Sequence, residues 1–331
     1  MTTSMKAVVN TKYGSPDILE IVDVAKPVPA DNQVLIRINA TTVETTDTIF
    51  RGGRVLSARL ATGIMKPKDP IPGSEFAGVI EAVGKAVKRF KVDDRVFGTA
   101  APKVGAHAEY IVLQEDSAIA IVPEHMSDIE AVALHPGAMT ALPFIKGAAN
   151  IQPGQRILII GASGGIGSSA VQLAKHFGAN VTGVCSTENV ALVHSLGADR
   201  VIDYRKEDFT RSGEQYDIVF DTVGKSSFSR AKHILKPGGI YLTTVLSPTI
   251  LRQMMWTSKF GNRRAQLVFA GLRPTDEKQG YLDMLLELVA SGKFRPVIDR
   301  CYPFAQIAEA HRYVESGRKK GSVVVQIAQD S

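Results

Sequence analysis

The sequence predicts an α/β protein: a doubly wound parallel sheet in its second part and a mostly β region before it. Three observations predict this. An apolar run, R-I-L-I-I, leads straight into the glycine turn G-A-S-G-G-I-G and then into an amphipathic helical pattern. Downstream, strand-like and helix-like runs alternate, as βαβ units require. Upstream, short β-like runs are separated by Pro and Gly.

Taken in order, residues 7–10, 33–40, 76–83, 95–97 and 109–113 read as strands, punctuated by Pro27, Pro29, Pro70, Pro72, Gly73 and Gly98. The texture changes at M-S-D-I-E-A-V-A-L, where Ser127 or Asp128 is a suitable helix N-cap. Residues 157–160 have the continuous apolarity of a strand buried on both faces. After the glycine turn, Ile166, Ala170, Val171, Leu173, Ala174 and Phe177 recur at helical spacing, Gly178 stops the helix, and 180–184 reads as the next strand. Further strands are expected at 200–202, 217–220, 239–245 and 266–269, and helices at 190–196, 228–235, 249–258 and 281–290. The tail returns to strand texture at 296–303 and 322–327 around a helix at 304–316. It is expected to complete the first domain. The domains are then 1–126 with 294–331, and 127–293.

A chain of 331 residues suits two domains, and 44% hydrophobic with 22% charged residues is ordinary for a globular protein. Cys185 and Cys301 are its two cysteines, which suggests no disulfide framework and a reducing, cytoplasmic setting. The first ten residues hold no long apolar run and predict no secretory signal. No apolar stretch reaches the ~20 residues of a membrane span. The net charge of +6 is not focused: Lys259-Arg263-Arg264 and Arg318-Lys319-Lys320 are short clusters, so nucleic acid is an unlikely partner. A basic surface also attracts a phosphorylated cofactor.

The glycine run points to that cofactor. Gly161, Ser163, Gly164, Gly165, Ile166 and Gly167 turn the chain tightly and present helix N–H groups and a positive dipole end to a pyrophosphate. A lone GxGxxG is a weak signal, but this one sits between a strand and a helix, where the motif requires it.

The order of several motifs then carries a resemblance. They are M-K-A-V-V-N-T-K-Y-G, P-I-P-G-S-E-F-A-G-V-I-E-A-V-G with F-K-V-D-D-R-V-F-G, A-N-I-Q-P-G-Q-R-I-L-I-I-G-A-S-G-G-I-G, G-A-D-R-V-I-D-Y, D-I-V-F-D-T-V-G and R-P-V-I-D-R-C-Y-P-F. Over nearly its whole length the chain resembles the zinc-free quinone oxidoreductase (zeta-crystallin-like) branch of the medium-chain dehydrogenase/reductase superfamily. The resemblance implies a GroES-like, mostly β substrate domain, a Rossmann dinucleotide-binding domain, a cleft between them and a homodimer or higher oligomer.

Zinc enzymes of that superfamily place a Cys in the segment matching 43–47 and a His-Glu pair in the segment matching 73–76. Here these read V-E-T-T-D and G-S-E-F, with Ser74 at the His position, and no four-Cys lobe exists. His107, His125 and His135 lack ligand spacing, so no zinc is expected.

The second Rossmann strand ends V-T-G-V-C-S-T-E-N, with Cys185 in the slot where an acid would bind ribose hydroxyls. Ser186 and Thr187 leave room for a 2′-phosphate, so NADPH is favoured and NADH remains possible. Glu188 speaks against this, either facing solvent or serving as the ribose acid. The resemblance implies Tyr204 near the phosphate, with Arg205, Lys206, Lys319 or Lys320 adding charge. It also implies that Thr140 and Val223 lie near the cofactor, with Phe269 and Gly271 where the family backbone holds the carboxamide.

Without a metal, the expected chemistry is hydride transfer to a small-molecule carbonyl, a quinone or an α,β-unsaturated ketone. Glu44 and Asp47 match a family stretch that lines the site, with Glu44 in place of the usual Asn. Their plain readings are a solvated loop carboxylate and a loop cap. His135 has a pKa range suited to proton delivery, and its plain reading is a packed side chain. Leu251, Met254, Met255 and Phe260, with Arg252 and Lys259, are expected foremost to pack in the core, next to form a cleft wall, and last to meet a membrane. The alternatives are a dinucleotide-binding protein with little turnover, structural or RNA-interacting, and a zinc-free alcohol or aldehyde reductase.

Overall fold

The structure, a computed structural model, describes residues 3–55, 59–60 and 62–327. It contains two compact units: Met1–Pro136 with Pro274–Asp283 and Pro296–Ser331, and Gly137–Arg273 with Met284–Arg295.

The first unit begins with an antiparallel pair, β1 (Ser4–Val9) and β2 (Glu20–Ala25). Next come β3 (Gln33–Thr42), α1 (Thr45–Gly52), β4 (Glu75–Val83), β5 (Arg95–Thr99), β6 (Tyr110–Gln114) and β7 (Ile119–Ile121). Val34, Ile36 and Ile38 alternate along β3 and bury one face against Phe76, Ile80, Val96 and Ile119. The strands β2 and β7 were not expected. The first is half exposed in a two-stranded pair and the second has three residues, so neither carries a strong alternation signal.

Helix α2 (Asp128–Leu142) starts at a full capping box: Ser127 Oγ accepts from Glu130 N–H at 3.2 Å, and Glu130 Oε2 accepts from Ser127 N–H at 2.9 Å. The first stretch of the first compact unit runs to Pro136, inside this helix. The reason is Asp128, which pairs with Arg95 at 2.6 Å and accepts from Asn39 at 2.7 Å, tying the first turns of α2 to the first unit.

The second unit holds β8 (Arg156–Ile160), α3 (Gly165–His176), β9 (Asn180–Cys185), α4 (Val190–Ser195), β10 (Arg200–Asp203), β11 (Tyr216–Asp221), α5 (Phe228–Ala231), β12 (Leu235–Thr243), α6 (Pro248–Lys259) and β13 (Arg264–Leu267). All pairings are parallel, in the order β10-β9-β8-β11-β12-β13. This is the classical doubly wound order, whose reversal between β8 and β11 opens a crevice beyond their carboxyl ends. All four apolar residues of β8 are buried, as a central parallel strand requires. The helix expected over 228–235 is shorter, because Leu235 already pairs with Tyr216 as the first residue of β12.

Helix α6 bears out the core-packing expectation for Met254 and overturns it for Leu251, Met255 and Phe260. Ile250, Met254 and Thr257, at helical spacing, face inward, whereas Leu251, Met255, Trp256 and Phe260 are exposed on the other side.

Helix α7 (Thr275–Ala290) starts a turn and a half before the expected 281. The tail forms β14 (Ile298–Pro303), α8 (Ile307–Glu315) and β15 (Ser322–Gln326). β14 and β15 are parallel across α8, and β15 pairs antiparallel with β3. The first unit's large sheet therefore runs β14-β15-β3-β4-β5-β7, with β6 also on β3.

Candidate functional site

Gly161, at the end of β8, takes φ +80°, and a Cβ there would meet Val223 Cγ1 at 2.6 Å. The N–H groups of Gly161 and Ala162 both donate to Val184 O, at 3.1 and 3.0 Å, so the turn is locked onto β9. A Cβ on Gly167 would collide with the Gly161 carbonyl, which is why the first turn of α3 can pack on the strand end. Gly164 differs. It is the N-cap of α3, in extended backbone at φ −76° and ψ 175°, and no side chain caps the helix. A Cβ there would have its nearest neighbour, Gly161 O, at 3.5 Å. Neither backbone strain nor crowding demands glycine at 164. Its lack of a side chain leaves the first-turn N–H groups of Gly165, Ile166 and Gly167 to a ligand.

Asn189 ties this turn to the one after β9, donating to Ser163 Oγ and to Ser186 Oγ, each at 3.1 Å. Its Oδ1 is buried without a partner among the described residues. Cys185 is buried, and desolvation followed by the charges of Asp203 and Glu188 pushes its thiol up to about 11. The hydroxyls expected to face a phosphate are otherwise engaged. Ser186 is buried and bonded to Asn189, and Thr187 Oγ1 donates to Asp203 Oδ2 at 2.6 Å. Glu188 and Arg205 form a two-point pair, with Nη1–Oε2 at 3.0 Å and Nη2–Oε1 at 3.2 Å. Tyr204, beside Arg205, is exposed.

On the other side of β8, Asp221 ends β11 fully buried and organises the next loop. It accepts from the N–H groups of Val223, Gly224, Lys225 and Ser226 at 2.7–3.3 Å and from Tyr241 OH at 3.1 Å. This fixes Val223 against Gly161. Thr140 lies in the last turn and a half of α2, and Phe269 and Gly271 follow β13 at the sheet edge opposite β10. The second unit thus gathers most of the expected cofactor residues at one end of its strands. Lys320 stands in the first unit before β15, its N–H bonded to Asp299 at 2.9 Å.

The first unit assembles a separate polar group. Asp47 Oδ2 accepts from Glu44 N–H at 2.7 Å, so Asp47 caps α1. Glu44 is not solvated. It pairs with Lys319, and its Oε1 is buried without a partner among the described residues. Burial pushes the Glu44 carboxyl up against the pull of Lys319, and pushes Asp47 up to about 6. Glu75, at the start of β4, joins them. Burial, with the charges of Asp47 and Glu44 adding, raises it to about 8. Its Oε2 accepts from Thr42 Oγ1 at 3.2 Å and its Oε1 lies 3.9 Å from His135 Nδ1. His135, in α2, is buried with both ring nitrogens unpartnered among the described residues, and burial, helped by Lys278, lowers it to about 3. Burial thus favours the protonated form of Glu75 and the neutral form of His135, which face each other.

Sequence reasoning passed over Glu75, Asn189 and Asp221. The signal for Glu75 is G-S-E-F itself, which lacks the His but retains the acid. Among the described residues, no group of three or more His, Cys, Asp or Glu is arranged to hold a metal ion.

Two family models match the chain: an alcohol dehydrogenase GroES-like domain over residues 30–124 and a zinc-binding dehydrogenase over 196–325. The chain is 34% identical to a 2-methylene-furan-3-one reductase of Solanum lycopersicum, over 98% of its own length and 79% of the relative's. It is 31% identical to an NADPH-dependent alkenal/one oxidoreductase, chloroplastic, of Arabidopsis thaliana, over 97% and 79%. Among solved structures, the quinone oxidoreductase from Coxiella burnetii superposes with a TM-score of 0.86 at 28% identity, covering 98% of this chain and 100% of that one. Fold, motif order and relatives agree: the chain belongs to the medium-chain dehydrogenase/reductase superfamily, in its quinone oxidoreductase branch.

Proposed function

We propose that the protein is a zinc-independent, NADPH-dependent reductase that delivers hydride to a quinone or an α,β-unsaturated carbonyl compound. The observation that carries this reading is the uncapped N-terminus of α3 at the switch point of a doubly wound sheet, with glycine at 164 where sterics do not require it. The names of the reductase relatives support the acceptor class and the cofactor.

These residues fit a dinucleotide. The backbone of residues 161–167 would hold the pyrophosphate, Tyr204 would border the adenosine end, and Val223, Thr140, Phe269 and Gly271 would serve the nicotinamide end. Bound NADPH supplies the hydride. The chain must orient the acceptor, exclude water and provide a proton for the reduced product. Glu75 and His135, with Glu44 held by Lys319, are the groups proposed to hold and pass that proton. Asp47 is assigned to capping α1 rather than to chemistry. In this reading the first unit binds substrate and the second binds cofactor. A cytoplasmic location is supported by two free cysteines. A homodimer is supported by β13, an edge strand available to a second copy.

The test is NADPH oxidation, followed optically, against a panel of quinones, enones and simple aldehydes. Turnover of quinones or enones is expected, with aldehydes poor. Tight NADPH binding without turnover of any acceptor would identify a binding protein instead, and turnover of aldehydes alone would move the activity to carbonyl reduction.

A further inference from the structure

The turns after β9 and β10 present an unusual charge arrangement. An acid at 188 would repel a 2′-phosphate, yet Glu188 meets the guanidinium of Arg205 through both carboxylate oxygens, at 3.0 and 3.2 Å. Both side chains are about half exposed, 55% for Arg205 and 51% for Glu188. Thr187, Ser186 and Asp203, in the same turns, are engaged within the protein. Thr187 donates to Asp203, Ser186 Oγ accepts from Asn189, and Asp203 also accepts from Arg205 N–H at 3.0 Å and lies 3.8 Å from Lys206. Tyr204 N–H bonds to Cys185 O at 3.1 Å, which places Arg205 at the carboxyl end of the sheet beside the second strand's turn.

We propose that Arg205 is the cation that selects NADPH, and that Glu188 is an intramolecular placeholder that keeps its guanidinium poised until a 2′-phosphate displaces it. This rests on the reading of NADPH as the cofactor. The physics favours the exchange. An exposed ion pair is worth a factor of about five or less in equilibrium, so Arg205 is held but not trapped. A phosphate monoester carries nearly two charges at neutral pH and three acceptor oxygens, against one charge and two oxygens on Glu188. The guanidinium fork matches either group, but its stronger partner is the dianion. With NADH the pair stays closed, and Glu188 covers the position that a 2′-phosphate would take.

The test is equilibrium binding of NADPH, NADH and 2′,5′-ADP to the full chain and to Arg205→Gln, Arg205→Lys and Glu188→Gln, with melting curves to confirm that each variant is folded. Arg205→Gln is expected to lower the NADPH-to-NADH affinity ratio on the order of ten-fold and to weaken 2′,5′-ADP to a similar extent, with Arg205→Lys recovering part of the loss. Glu188→Gln is expected to tighten NADPH and 2′,5′-ADP by roughly three- to five-fold, because the competing anion is gone. An unchanged ratio in Arg205→Gln, with wild type preferring NADPH, overturns this assignment and leaves the cofactor reading intact. A wild type preferring NADH overturns the cofactor reading and this assignment together. Weaker NADH binding in Glu188→Gln would make Glu188 the ribose acid and likewise overturn the placeholder.

Discussion

Gly164 shows how a single missing side chain can be a functional feature. Its backbone angles suit Asp or Ser as N-cap, and its surroundings would accept a Cβ. Gly164→Asp is therefore expected to leave the fold intact, or slightly more stable, because a carboxylate would satisfy the orphan N–H groups and the helix dipole. The same carboxylate would occupy and repel the place of a pyrophosphate. NADPH affinity is expected to fall at least about ten-fold, measured by titration, while the melting temperature holds or rises. Loss of affinity with an equal loss of stability would contradict this. Gly161 and Gly167 are different, since positive φ or a facing carbonyl excludes a side chain there.

Elements decide the pH behaviour, because α2, α8 and the start of β4 carry titratable groups into the first unit's interior. His107, between β5 and β6, is lowered to about 4 by burial, and His135 to about 3. His311, in α8, is pushed well below its ordinary value by burial and by the facing His107 and Arg51. Each depressed histidine binds its proton more readily in the unfolded chain, so stability falls as pH drops below about 6.5. Glu75 acts in the opposite sense. Its raised pKa means the folded chain keeps a proton that the unfolded chain releases, so its contribution is present below about 4.5 and is lost as pH rises towards 8. Stability is expected to peak near pH 6.5 in urea unfolding. Glu75→Gln should flatten the alkaline limb, shifting stability relative to wild type by up to about 1.4 kcal/mol per pH unit between 4.5 and 8. An unchanged alkaline limb would show that Glu75 is ionised in the folded chain.

At the scale of the whole molecule, the first unit depends on the chain's return. α8 and β15 bury Ile307, Ala310, Val314, Val323 and Val325 against Val8 and Val43, and β15 closes the edge of β3. Truncation after Arg295 removes these five, a loss on the order of 10 kcal/mol, comparable to a domain's total stability. The truncated chain is expected to be insoluble, with the soluble fraction on lysis as the measurement. Soluble, folded protein would mean that the N-terminal strands suffice. By itself the sequence determined the βαβ succession, the dinucleotide turn and the return of the tail to strand texture. Those rest on local periodicity and glycine spacing, which are properties of neighbouring residues. It left the short strands β2 and β7 unread and put Leu251, Met255 and Phe260, in and just after α6, in the core. Only the tertiary structure paired Glu44 with Lys319, 275 residues away, and Glu188 with Arg205, and set Glu75 beside His135. Those outcomes depend on which distant segments meet and how deeply they are buried. Charge state, partner and exposure follow from that environment, which no local pattern encodes.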